Sequence, residues 1–302
     1  MSRELLKLIF YSEDHEDKED VLRKIVEVYE YYKENICDSI EFQAIEEFYL
    51  LFMAFKCYKW NIKDSNLVTN VLRKVYRSTD HCMLIFQRAD WKEQALECFR
   101  YFINHANSCR FLWQGHRLVD CTFTYTNDVS HSCQYAVKYT NPKLLLLLLR
   151  HGALLGDYEE YEIYKLDILK DFLKIILKWM ESTAVLTIQN INEFEPFQDL
   201  LSCLRILMRA LPPISLKELT KNFCVTNDHH INIVICKFLI EELSDLGLIK
   251  YLTQRVLRPS ELQHLCRCRV RKILYDNWNL PLGIRTLPVP IRIQNYIDLM
   301  YD

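Results

Sequence analysis

Apolar residues recur at three- and four-residue steps along most of this chain, the spacing that lines one face of an α-helix. Val21, Leu22, Ile25, Val26 and Val28 begin the pattern directly after an acidic run over residues 12–20. That run suits the positive end of a helix and reads as a solvated loop and helix start. Ile45, Phe48, Leu51, Phe52 and Phe55 repeat the steps, and Leu96, Phe99, Phe102 and Ile103 do so again. Residues 21 to about 113 are therefore predicted to be helical, with these aromatic stripes as core. Residues 114–130 mix β-branched and polar side chains and predict a loop or short hairpin. Over 160–182, Leu166, Leu169, Leu173, Ile176 and Met180 form one stripe opposite Asp167, Lys170, Asp171, Lys174 and Lys178, an amphipathic helix. Pro196 and Pro212-Pro213 punctuate the stretch beyond that helix. A further helix is expected from about Ile231 to Leu243, stopping at Asp245-Leu246-Gly247.

Composition strengthens the helical reading. Five Gly and eight Pro among 302 residues leave little turn chemistry for a many-stranded protein. The length suffices for one large or two modest domains. A net charge of -2 offers no electrostatic attraction for nucleic acid or an anionic membrane. The longest apolar run, Leu144 to Leu149, falls far short of the ~20 residues that span a bilayer. The amino terminus, Met1-Ser2-Arg3-Glu4, lacks a signal-peptide layout because acidic residues interrupt the first apolar stretch. Twelve cysteines spread evenly from Cys37 to Cys268 suggest small buried hydrophobes in a reducing compartment, cytoplasm or nucleus, rather than a disulfide framework.

Two segments carry more specific information. In residues 131–156, Ala136-Val137-Lys138 is followed by a break at Thr140-Asn141-Pro142, then by the leucine-rich run that ends in Arg150-His151-Gly152-Ala153. The alanine permits close helix packing, and the glycine suits a left-handed helix exit. This stretch resembles one ankyrin repeat, although His131-Ser132-Cys133-Gln134 stands where the family has Thr-Pro-Leu-His. No second repeat is legible at a ~33-residue period. One repeat cannot bury both its faces, so flanking helices are expected to stack on it.

The second segment is the carboxyl terminus. Pro259 and Ser260 are suitable helix-start residues, and from Leu262 four-residue steps land on Cys266, Val270 and Leu274, with Leu265 and Ile273 beside them. Arg269 falls inside this stripe and would snorkel its charge to the rim. About a dozen residues later, Leu287-Pro288-Val289-Pro290 is held extended by its prolines. Ile293, Tyr296, Ile297 and Met300 then mark a final short helix. The two halves, in this order, resemble a SOCS box, and with the ankyrin-like segment the chain resembles the ankyrin-repeat-and-SOCS-box family. The resemblance implies an all-α protein, a stacked helical, divergent ankyrin-like body followed by a three-helix SOCS box. It divides as 1–120 helical, 121–157 ankyrin repeat, 158–255 helical and 256–302 SOCS box.

The function implied is that of a substrate-recognition adaptor of an elongin B/C–cullin–RING ubiquitin ligase, intracellular and without chemistry of its own. Leu262, Leu265, Cys266 and Val270 would contact elongin C, which pairs with elongin B. Leu287, Pro288, Val289 and Pro290 would select cullin five with its RING subunit, and the body would bind a protein target. The alternative is an ankyrin-type interaction scaffold that assembles no ligase. No cofactor or metal is expected. Along a helix, His264, Cys266 and Cys268 point about 200° apart in turn and cannot converge on a tetrahedral ion. Cys224, Asp228, His229 and His230 read as a polar loop before a helix. Arg267, Arg269, Arg271 and Lys272 read as the solvated rim of an interface helix rather than a nucleic-acid patch. The sequence holds no glycine-rich phosphate loop, nucleophile elbow or paired-carboxylate motif.

Overall fold

The computed structural model describes residues 17–36, 40–79, 94–125, 128–153, 195–211, 229–245, 253 and 261–301. Outside the described residues lie most of the acidic run, the side chains of Ile45 and Phe48, the amphipathic helix over 160–182, Pro212-Pro213, Cys224, Asp228, Leu246-Gly247 and Pro259-Ser260. The chain divides into two compact units, Met1–Val129 and Ser130–Asp302.

In the first unit, helices α1 (Lys18–Ile36), α2 (Ile40–Lys59), α3 (Ser65–Thr79) and α4 (Ala95–Ser108) pack in sequence order, α4 also touching α2. The stripe on α4 is core as its spacing predicts, with Phe99, Phe102 and Ile103 buried. On α2 the stripe is rotated from the expected phase. Leu51 is buried as expected, but Leu50, Met53, Ala54 and Cys57 make up the rest of the buried face, while Phe52 and Phe55 stay half-exposed. Lysines cover those rings: Lys56 Nζ lies 5.3 Å from the Phe52 centroid and 5.0 Å from that of Trp60, and Lys59 Nζ lies 5.5 Å from Phe55. An aromatic pattern alone does not distinguish core from such cation-capped surface.

A miniature hairpin begins at Leu112, just before the 114–130 stretch expected to hold a loop or short hairpin. Strands β1 (Leu112–Trp113) and β2 (His116–Arg117) pair antiparallel around Gln114 and Gly115. Both turn residues have positive φ, 49° and 83°, as a two-residue hairpin turn of the favoured twist requires. Trp113 stacks on Tyr76 of α3 at 5.4 Å. A single 3₁₀ turn comes next, at Leu118–Asp120. Strands β3 (Thr122–Tyr125) and β4 (Asp128–His131) then follow.

In the second unit, α5 (Ser132–Lys138) and α6 (Pro142–Arg150) pack against each other across the Thr140-Asn141 break. Asn141 caps α6, its side chain accepting from the Leu144 N–H at 3.0 Å. Every leucine from Leu144 to Leu149 except Leu146 is buried, because α7 (Glu195–Ala210) covers the face that α5 leaves open. α6 ends in a Schellman motif, with Ala153 N–H bonded to Leu148 O and Gly152 N–H to Leu149 O, both at 3.0 Å, and Gly152 at φ +90°. Helix α8 (His229–Asp245) is next in the chain. The carboxyl terminus forms three helices, α9 (Leu262–Asp276), α10 (Leu282–Arg285) and α11 (Ile291–Ile297). Among the described residues, no helix is long and apolar enough to cross a membrane.

Asp64 illustrates how local electrostatics define an element of the first unit. Its Oδ1 accepts from the backbone N–H of Asn66 at 2.9 Å and Leu67 at 3.2 Å at the start of α3, and its Oδ2 meets the Arg23 guanidinium. Burial alone would raise this carboxyl, but the Leu67 amide, Arg23 and the Asn66 amide outweigh it and hold it below the usual aspartate value. Asp64→Ala should therefore cost ~0.5–2 kcal/mol near pH 7. A depressed folded pKa makes this contribution fully present above the unfolded aspartate pKa, and it fades as pH falls through the folded one. Urea unfolding at pH 7 and at pH 2 checks this; equal stability at pH 7, or an undiminished gap at pH 2, would contradict it.

Candidate functional site

Helix α9 separates two chemically different faces, and this division organises the site. Glu261 is its N-cap, directly after the helix-start residues Pro259 and Ser260, and its side chain makes no capping bond. Four-residue steps gain about 40° each on a 3.6-residue helix, so a stripe starting at Leu262 rolls around the helix as it proceeds. At its start the stripe faces outward: Leu262 is 76% exposed, Leu265 40%, and Cys266 is also exposed. By Val270 it is half-buried, and at Leu274 it enters a core formed with Leu280, Ile284 and Ile297. Ile273, at 48%, continues the exposed side, with Arg269 exposed between.

The opposite face is polar and buried. His264, Arg267 and Arg271 follow three- and four-residue spacing, and Arg267 is only 1% exposed. The expectation of a solvated arginine rim is thus corrected: Arg269 is exposed, but Arg267 and Arg271 point inward. His264 Nε2 lies 2.8 Å from Leu211 O, which can only accept, so this nitrogen carries the proton. Its Nδ1 then accepts from Arg267 Nη2 at 3.1 Å. The Arg267 guanidinium lies 4.1 Å from the Tyr296 ring centroid.

Arg271 donates through Nη1 to Ile297 O at 3.0 Å and through Nη2 to Leu149 O, so one guanidinium serves the carboxyl ends of α11 and α6. Burial pushes its pKa down to about 10, against the opposing pull of Asp298, and it remains charged at neutral pH. Asp298, 1% exposed, receives Arg150 in a two-pronged pair, Nε to Oδ1 at 3.0 Å and Nη2 to Oδ2 at 2.5 Å. Arg285 adds a contact at 3.3 Å.

The other candidate residues divide similarly. Leu287 packs half-buried on the module core beside Val270 and Tyr275. Pro288 and Pro290 are exposed, and Val289 is half-buried. Gln294 Nε2 donates to Leu287 O at 3.1 Å and Val289 O at 3.2 Å, pinning the extended segment to α11, whose N-cap is Pro290. Of the final stripe, Ile293 and Met300 are exposed, but Tyr296 and Ile297 are internal. Cys266 lies on the exposed side while His264 is fully buried. From sequence, His264 reads only as a rejected metal ligand, Arg267 and Arg271 only as a solvated rim, and Asp298 is not singled out, although 264, 267 and 271 are themselves helically spaced and Asp298 interrupts an otherwise apolar run.

A family model described as SOCS box matches residues 258–298, so the terminal three-helix module is a SOCS box. Curated relatives point the same way. The chain is 26% identical over 166 residues to ankyrin repeat and SOCS box protein 17 of Bos taurus, covering 55% of this chain and 48% of the relative. It is 32% identical to the Homo sapiens protein of that name over 103 residues, covering 34% and 30% respectively. The Macaca fascicularis protein gives 33% over the same length. The chain spans about half, or less, of the length of the curated relatives it matches. No solved structure matches it.

Gly152 provides a direct test of how the module is seated within the second unit. A Cβ there would fall 2.6 Å from Tyr275 Cδ2 and 3.0 Å from Leu280 Cδ1, on a backbone already at φ +90°. Gly152→Ala combines strain with overlap and should destabilise the second unit by more than ~1 kcal/mol. An unchanged denaturation midpoint would contradict the placement.

Proposed function

We propose that this chain is the substrate-recognition subunit of an elongin B/C–cullin–RING ubiquitin ligase. In this reading α9 docks elongin C, the segment Leu287–Pro290 engages cullin five with its RING subunit, and the helical body binds the protein to be ubiquitinated. The observation that carries it is the exposure of Leu262, Leu265 and Cys266 on a helix whose opposite face is already committed to the chain's own interior. A leucine left in water forgoes ~1.5–3 kcal/mol that burial would return, so two on one face favour a partner. The small side chain of Cys266, one turn from Leu262, permits another helix or strand to approach closely. The SOCS-box match and the names of the relatives support the same class of partner. Catalysis by such an assembly comes from holding the target beside a charged conjugating enzyme, which is proximity rather than side-chain chemistry. The reading assigns this chain no reaction of its own and places it in the cytoplasm or nucleus.

Leu262→Ala with Cys266→Phe should abolish capture of elongin B/C in a pull-down. Both side chains are exposed in the free chain, so the change removes a docking contact without disturbing the chain's own core. Losing the leucine contact alone corresponds to on the order of 10–100-fold in affinity. Retention of elongins by a folded double mutant would refute the docking role.

Replacing Pro288 and Pro290 by alanine, together with Leu287→Ala, should weaken cullin binding while elongins stay bound. Co-purification of both partners, measured on the same sample, checks this. Simultaneous loss of both would mean that the segment serves only the fold of the module, in keeping with the inward position of Leu287.

A further inference from the structure

An adaptor can carry its docking module on a hinge or on a fixed mount, and the two differ in where the target can be presented. A hinge needs an interface that opens cheaply, wet and weakly paired. The contact between the terminal module and the α5–α6 pair is of the other kind. Arg271 reaches from α9 to the last carbonyls of both α6 and α11. Those carbonyls sit at the negative ends of two helices, where a buried cation is favoured. Arg150, the last residue of α6, grips Asp298 through two parallel bonds just past the end of α11. Such a fork fixes direction as well as distance. Beside them, Gly152 is the point where the α6 backbone comes within a missing Cβ of Tyr275 and Leu280. Swinging the module by a few ångströms would leave a buried aspartate and a buried guanidinium without partners.

We propose that Arg150, Arg271 and Asp298 are positioning residues that form a rigid joint, holding the exposed stripe of α9 in one orientation relative to the α5–α6 pair. This rests on the adaptor reading for its purpose, although not for its geometry. The joint makes the α5–α6 pair the element that sets which way the exposed stripe of α9 points. Its weak point is the turn after α11, because Asp298 there receives both bonds from Arg150 and is held from within the module by Arg285.

The test uses the full chain coexpressed with elongins B and C. Spin labels on genetically encoded residues at Lys138 and Arg292, both exposed, avoid the twelve cysteines. Pulsed dipolar spectroscopy should give one narrow distance peak for the wild type. Asp298→Asn and, separately, Arg271→Met should broaden or split that peak and raise amide exchange at residues 296–301 at least tenfold. Helix content should be kept, and elongin capture should stay within about twofold. A broad wild-type distribution, or a peak unchanged in both variants, would overturn the joint. Loss of the module's helices in both variants would also overturn it, since these residues would then be core rather than joint. Elongin capture by the wild type is read on the same samples and the distances are measurable in the chain alone, so failure of the adaptor reading is distinguishable from failure of the joint.

Discussion

A buried guanidinium shared by the ends of two helices is the interaction on which the functional half of this protein depends. Carbonyls at a helix carboxyl terminus have no partner within the helix, and sealing them from water without one is costly. Arg271 resolves this for Ile297 O and adds a charged donor at Leu149 O. Asp298, packed beside it and bound by Arg150 and Arg285, supplies the balancing charge. The same face of α9 holds His264 against Leu211 O. With that face occupied, Leu262, Leu265 and Cys266 have nowhere to turn but outward. The exposure of this stripe thus follows from how the opposite side is satisfied.

Much of the helical plan was legible in the sequence because a 3.6-residue period is a strong signal when the stripe is long. The terminal module was legible for a different reason: its two halves form a pattern specific to one kind of module. Helix ends were harder to see. Asn61, Arg110, Thr140, Trp278 and Leu299 all adopt positive φ just past a helix, where glycine would announce the stop, and among the described residues only Gly152 does so visibly. The same hydrogen-bond pattern that Gly152 makes recurs at Leu299, whose N–H bonds Tyr296 O while Met300 N–H bonds Asn295 O. Tertiary packing, not residue preference, holds these turns in place.

The direction in which polar residues face was the least legible property. Arginines alternating with apolar residues read as a solvated rim because charge is usually exposed, yet Arg267 and Arg271 are inside. Burial of these arginines depends on partners distant in sequence: Leu149 O for Arg271, and carbonyls within residues 296–301 for both. No local pattern reveals such partners. The half-exposed phenylalanines of α2 err in the opposite sense, since lysine coverage lets an aromatic stripe remain at the surface.

The proposed role of the exposed face of α9 is to seat elongins. Native mass spectrometry of the wild-type chain coexpressed with elongins B and C tests it most directly. A single 1:1:1 species, surviving dilution to nanomolar concentration, is the predicted result. A soluble chain that appears only by itself, with the elongin pair unbound in the same spectrum, would contradict it.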